Sequence, residues 1–271
     1  MRKLQYTFKT DTLFKMLFVK YPELLRMLVA ALLRIPLESI EEFKIRNPEM
    51  PPESLGDKFC RLDINMTVNG QRVDLEVQVS NEGDYPERTM YHWAREFSTA
   101  LPVGSSYSML PRTIIISIVN FKLFECVEFH SEFQPLEITR HTQLSDKMAF
   151  HFYELPKLPV EINQNNMLLM WLSLFKAETE EELEIIKAME VPAMSQAIDA
   201  YYTITASSEF RERERLYEKA RHDEAQALHN AEKKKSIEIA KNLLKMSLPL
   251  DQIATATGLT LNEIECLRDA D

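Results

Sequence analysis

Lys58-Phe-Cys-Arg-Leu-Asp-Ile-Asn-Met-Thr-Val-Asn-Gly-Gln-Arg-Val-Asp-Leu-Glu-Val-Gln-Val-Ser80 reads as two alternating runs around Asn69-Gly70. Asn-Gly tolerates positive φ at both central positions, which the tight two-residue hairpin turn requires. With that turn, one face pairs Cys60 with Val79, Leu62 with Val77, Ile64 with Leu75 and Met66 with Val73, all apolar. The other face pairs Arg61 with Gln78, Asp63 with Glu76, Asn65 with Asp74 and Thr67 with Arg72, all polar. A slip of one residue would scramble both faces, so the register is well specified.

A solvated outer face would explain the polar set, since antiparallel hairpins commonly keep one wet side. Asp63 opposite Glu76 argues for more than that. Like charges in such a pair cost about 0.2–1 kcal/mol, and Asp74 adds a third carboxylate that Arg61 and Arg72 neutralise only in part. A hard divalent cation relieves the repulsion, because magnesium favours one or two carboxylates together with water and substrate phosphate. Gln78 shares the face with Glu76 through the two-residue strand period, where its amide can orient an attacking water or donate to a phosphate oxygen.

Outward from the hairpin, Asp11 to Arg34 carries helical spacing broken at Tyr21-Pro22, with Thr10 or Asp11 as the helix start. Residues 36–57 form a proline-rich connection with one short strand. Asp84-Tyr-Pro-Glu87 resembles a capping box and opens a helix to about Ala100, with Met90, Ala94, Phe97 and Leu101 expected inward. Arg88, His92 and Arg95 then line the opposite side, as a solvated face or as phosphate contacts. Thr113 to Val119 is a β-branched run typical of a strand covered on both sides, and strand-like pieces recur at Glu125–Phe133 and Met148–Leu155. Asn166 to Ala206 is helical, 207–246 is one long charged helix, and 248–267 holds two short helices around Gly258. The expected organisation is a core over 1–160, a helical extension over 161–206, the charged helix, and a helix-turn-helix-like tail over 247–271.

The chain has 271 residues, 45% hydrophobic, and a net charge of −10. The acidity is uneven: 1–160 holds 19 basic against 21 acidic residues, while 161–206 holds 2 against 8. The first half is thus close to neutral and permits a phosphate-binding face. Five glycines, none in a phosphate-loop or dinucleotide spacing, exclude those nucleotide-cradling folds. Three cysteines without Cys-x-x-Cys spacing disfavour a disulfide framework or zinc site. Leu24 to Ile35 is too short and too charged to span a bilayer, and the expectation is a soluble, cytoplasmic protein without a membrane partner.

The chain resembles the Rpn group of recombination-promoting nucleases, also described as transposases, within the PD-(D/E)XK nuclease-like superfamily. The resemblance rests on Asp11-Thr-Leu-Phe-Lys-Met-Leu-Phe18, Leu62-Asp63-Ile64, Asp74-Leu-Glu76-Val-Gln78, Tyr91-His-Trp-Ala-Arg95 and the run Arg112 to Asn120. It implies an α/β, restriction-endonuclease-like mixed sheet flanked by helices, with the hairpin central and an all-helical C-terminal region beyond. It also implies metal ligation by Asp63 and Glu76, and places Gln78 where the wider superfamily has lysine, a charge that glutamine cannot supply. Asp11 either approaches the same site or only starts the first helix.

The expected activity is therefore a magnesium-dependent DNA endonuclease, with manganese or calcium as alternative ions, linked to recombination or mobile elements. A nuclease-like scaffold that binds nucleic acid or a protein without cutting is the alternative, and strand transfer is a weaker third. In the tail, Thr260 to Glu263 matches a capping box. Asn262, Glu263 and Glu265 lack the donors of a DNA-reading helix, which favours a protein–protein or self-association role for the C-terminal helices.

Overall fold

The computed structural model of the chain describes residues 2–46, 64–81 and 83–268. Among the described residues, six strands form one sheet in the order β1-β2-β3-β4-β6-β5: β1 (Phe43–Ile45), β2 (Ile64–Val68), β3 (Gln71–Gln78), β4 (Thr113–Val119), β5 (His130–Phe133) and β6 (Met148–Glu154). The first three are antiparallel, β3, β4 and β6 run parallel, and β5 returns antiparallel on the edge. A parallel pair needs a crossover, and between β3 and β4 it is the helix α3 (Tyr85–Ser98).

The β2–β3 register is the one the Asn-Gly turn dictates: Ile64↔Leu75, Asn65↔Asp74, Met66↔Val73 and Thr67↔Arg72. Asn69 and Gly70 take φ of 48° and 74°. The Asn69 side chain also accepts from the Glu41 and Glu42 N–H groups and donates to the Ser39 carbonyl, fastening the hairpin tip to the preceding segment. The expected pairs involving Cys60, Arg61, Leu62 and Asp63 lie outside the described residues.

The apolar face of the hairpin joins Ile114, Ile116 and Ile118 of β4 in the main core. That core is closed by α1 (Asp11–Lys20), α2 (Pro22–Leu33), α4 (Met167–Lys176), α5 (Glu180–Lys187) and α6 (Pro192–Thr205). Phe8 stacks on Tyr201 at 5.2 Å, and Trp171 is fully buried. The N-terminal strand-like residues belong to this packing: Leu4 N–H donates to the Glu178 carbonyl and the Tyr201 hydroxyl to that of Tyr6. Helices 167–205 thus share one hydrophobic cluster with the sheet.

The other sheet face packs Ile115, Val119, Phe150 and Phe152 against Tyr85 in a smaller cluster. The chain divides into two compact units, 1–213 and 214–271. In the second, α8 (Leu250–Thr257) and α9 (Leu261–Arg268) bury Ile253, Leu259 and Ile264 with Ala240 of the long helix α7 (Ser208–Lys245). The Thr260–Glu263 capping box forms in both directions. A second box, Thr179 with Glu182, starts α5.

Two expectations for α3 are corrected. Asp84 occupies the N-cap position without a side-chain cap bond. Met90 and Ala94 are exposed, and the buried side is Tyr85 and Thr89 with Trp93 half-buried. The reason is what the helix covers: α3 docks onto the sheet face that carries Asp74 and Glu76, so polar and aromatic side chains, not its aliphatic ones, turn inward.

Candidate active site

Glu76 lies at the centre of β3, beside Ser117 of β4 in the parallel register. Strand periodicity puts Asp74, Glu76 and Gln78 on one face, together with Ile115, Ser117 and Val119. Asp74 and Glu76 are each only 4% exposed. This face is therefore covered, and the solvated reading of the hairpin's polar side fails for both acids.

The cover is α3. The Tyr85 hydroxyl donates to Glu76 Oε2 at 3.2 Å. His92, nearly two helical turns on, places Nδ1 3.6 Å from Glu76 Oε1. Arg88 sets its guanidinium 4.9 Å from the centre of the Tyr85 ring. Trp93 Nε1 donates to the Thr113 carbonyl at 3.0 Å and stacks on Phe97 at 4.6 Å, pinning the helix to β4. Arg72 does not turn toward the acids: its guanidinium donates to the Glu96 and Thr99 carbonyls at the end of α3, where a cation complements exposed helix carbonyls.

The expected site residues are thus distributed unevenly. Glu76 and His92 are brought together, Arg88 faces the same region through Tyr85, and Arg95 is exposed. Gln78 is half-buried, and its amide donates to the Ser80 carbonyl at 3.1 Å. Asp11 is half-buried at the first position of α1, whose buried side chains belong to the main core. Asp63 lies outside the described residues. Tyr91 is 63% exposed.

Sequence reasoning missed Tyr85 and Ser117. Ser117 is fully buried, and its Oγ has no hydrogen-bond partner among the described residues. A polar side chain inside the otherwise β-branched run Ile114–Val119 was the signal available for it. Tyr85 was masked by its position in an apparent helix start.

The carboxylates at 74 and 76 and the Ser117 hydroxyl on this sheet face are hard oxygen donors, a chemistry that suits a hard divalent cation better than a soft one, with the His92 imidazole beside Glu76. Among the described residues, no group of three His, Cys, Asp or Glu side chains is arranged to hold a metal ion.

A six-stranded mixed sheet flanked by helices, followed by a helical C-terminal region, is the architecture of a PD-(D/E)XK nuclease-like protein. The sequence profile of PD-(D/E)XK nuclease family transposases matches residues 8–231, and the chain belongs to that family. No curated protein and no solved structure gives a significant match. PD-(D/E)XK nucleases generally use divalent metal ions, and the family supports a nuclease-like function associated with mobile elements. No helix among the described residues is long and apolar enough to cross a membrane.

Proposed function

We propose that this chain is a metal-dependent DNA endonuclease that hydrolyses phosphodiester bonds. The observation that carries the reading is the Glu76 carboxylate, buried at the centre of β3 and flanked by Tyr85 and His92. Its position under α3, beside a phenol donor and an imidazole, supports a role as the ligand of a cation that would be shared with Asp63.

In this reading Asp63 and Glu76 hold magnesium, with manganese or calcium able to replace it. When bound, the ion supplies positive charge against the charge that grows on the phosphoryl oxygens. Gln78, released from the Ser80 carbonyl, orients the attacking water. Arg95, exposed on α3, and His92 beside the site would meet backbone phosphates, and Arg88, two of whose guanidinium nitrogens are buried over Tyr85, would have to turn outward to join them. Asp11 is retained as a further acidic candidate at the start of α1. Self-association is assigned to the C-terminal helices: α9 opens with Glu263 and Glu265, which bring acceptors and not donors for DNA, and Glu263 is engaged by Lys233 and by its own helix cap, with its carboxyl held down to about 2 by the Lys233 contact first.

Nicking of supercoiled plasmid by the full chain tests the reading. Activity should require magnesium or manganese and stop with chelator. Asp63→Ala and Glu76→Gln should each lower the rate by more than ~100-fold, beyond the range for contacts that only support a ligand. Nicking unchanged in both variants would sink the assignment.

One observation favours a second reading, a scaffold that binds nucleic acid without cutting. Gln78 brings no charge, and its amide is engaged by the local backbone. Carboxylate-dependent metal binding by the purified chain separates the two, since a scaffold without the site shows none.

A further inference from the structure

We propose that Tyr85 is a positioning residue for Glu76: its phenol fixes the carboxylate in the orientation that the cation needs. This inference rests on the reading of Glu76 as a metal ligand. Tyr85 is 1% exposed and starts α3, immediately before Pro86, whose ring presets the backbone of the first turn. Its ring is held edge-on by Phe121 at 5.9 Å and Phe152 at 6.3 Å, with Arg88 over its face. The ring therefore has one place to be, and the hydroxyl follows it.

The phenol is the donor in the 3.2 Å contact to Oε2. A donor on one oxygen fixes the rotation of the carboxylate plane, which sets where the remaining lone pairs point. Packing alone does not call for this group. The same pocket would be filled by a phenylalanine, and the neighbouring Ser117 shows that a buried hydroxyl on this face can lack a described partner. Ligating carboxylates that lose such a supporting hydrogen bond typically lose 10- to 100-fold in metal affinity, by general experience with such contacts, so an effect of about 10-fold is expected.

The test is manganese binding to the full chain, measured calorimetrically without DNA, in wild type, Tyr85→Phe, Phe152→Leu and Glu76→Gln. Glu76→Gln should abolish binding; if it does not, the ligand assignment itself falls. Given that loss, Tyr85→Phe should weaken binding about 10-fold, while its metal-free melting temperature falls no further than that of Phe152→Leu. Phe152→Leu loosens the ring without touching the hydroxyl, and should lower the melting temperature with a smaller effect on affinity. Wild-type affinity in Tyr85→Phe, or affinity that merely tracks melting temperature across the variants, overturns the positioning role.

Discussion

At the edge of the sheet, His130 and His151 form a pair whose protons can be placed. Arg34 Nη2 lies 3.0 Å from His130 Nδ1, and arginine only donates, so Nδ1 accepts. The His130 proton is then on Nε2, which donates to His151 Nδ1 at 3.1 Å. Burial first, then Arg34 and His151, lowers the His130 pKa from 6.5 to about 4, with Glu132 opposing. His151 is lowered as well, by burial first. Between those values the unfolded chain binds a proton that the folded imidazole refuses. Stability is therefore full above about 6.5 and falls as the pH drops toward 4. Because His130 is only half-buried, the effect should be on the order of 1 kcal/mol after screening. Melting temperatures measured from pH 7 to pH 4.5 should fall less steeply in His130→Gln; an identical slope would remove this imidazole from the account.

Among the elements, the hairpin and α3 set the site and can be tested separately. A Cβ on Gly70 would meet nothing within 4 Å, so the cost of Gly70→Ala comes from its φ of 74° alone, about 1 kcal/mol in urea unfolding. Asn69→Ala should cost more, about 1–3 kcal/mol, because the Glu41 and Glu42 amides and the Ser39 carbonyl lose their partner. If the two variants are equally mild, the side-chain clasp at the hairpin tip contributes nothing. On α3, Trp93→Phe keeps the stacking on Phe97 but removes the bond to Thr113, and about 1 kcal/mol should be lost. If that variant matches wild type in urea unfolding, the Thr113 contact does not anchor the helix.

For the whole molecule, the informative feature is the division into 1–213 and 214–271. The first unit contains both clusters that flank the sheet, and the second has its own core around Ala240, Ile253, Leu259 and Ile264. A chain ending at Arg213 is therefore expected to melt cooperatively and to retain the chelator-sensitive nicking proposed for Glu76. Circular dichroism and the plasmid assay decide this. A truncated chain without a melting transition would show that the first unit depends on the rest.

Much of this protein follows from local sequence. Asn69-Gly70 with flanking alternation determined the hairpin and its register, because turn handedness and a side-chain period of two act over a few residues. The almost unbroken β-branched run marked β4 as covered on both faces, and Thr260 with Glu263 marked the start of α9, again through neighbours in the chain. What only the tertiary structure decided is which surface α3 covers. Helical spacing suggested Met90 and Ala94 as the inward residues, since periodicity reports where apolar groups lie but not what the opposing surface offers. The opposing surface is the acidic side of β3, so Tyr85, Thr89 and His92 face it. That docking buried Asp74 and Glu76 and supplied Tyr85, while the parallel β3–β4 register set Ser117 beside Glu76; both proximities depend on packing across the fold, and only the polar break in the β4 run hinted at Ser117.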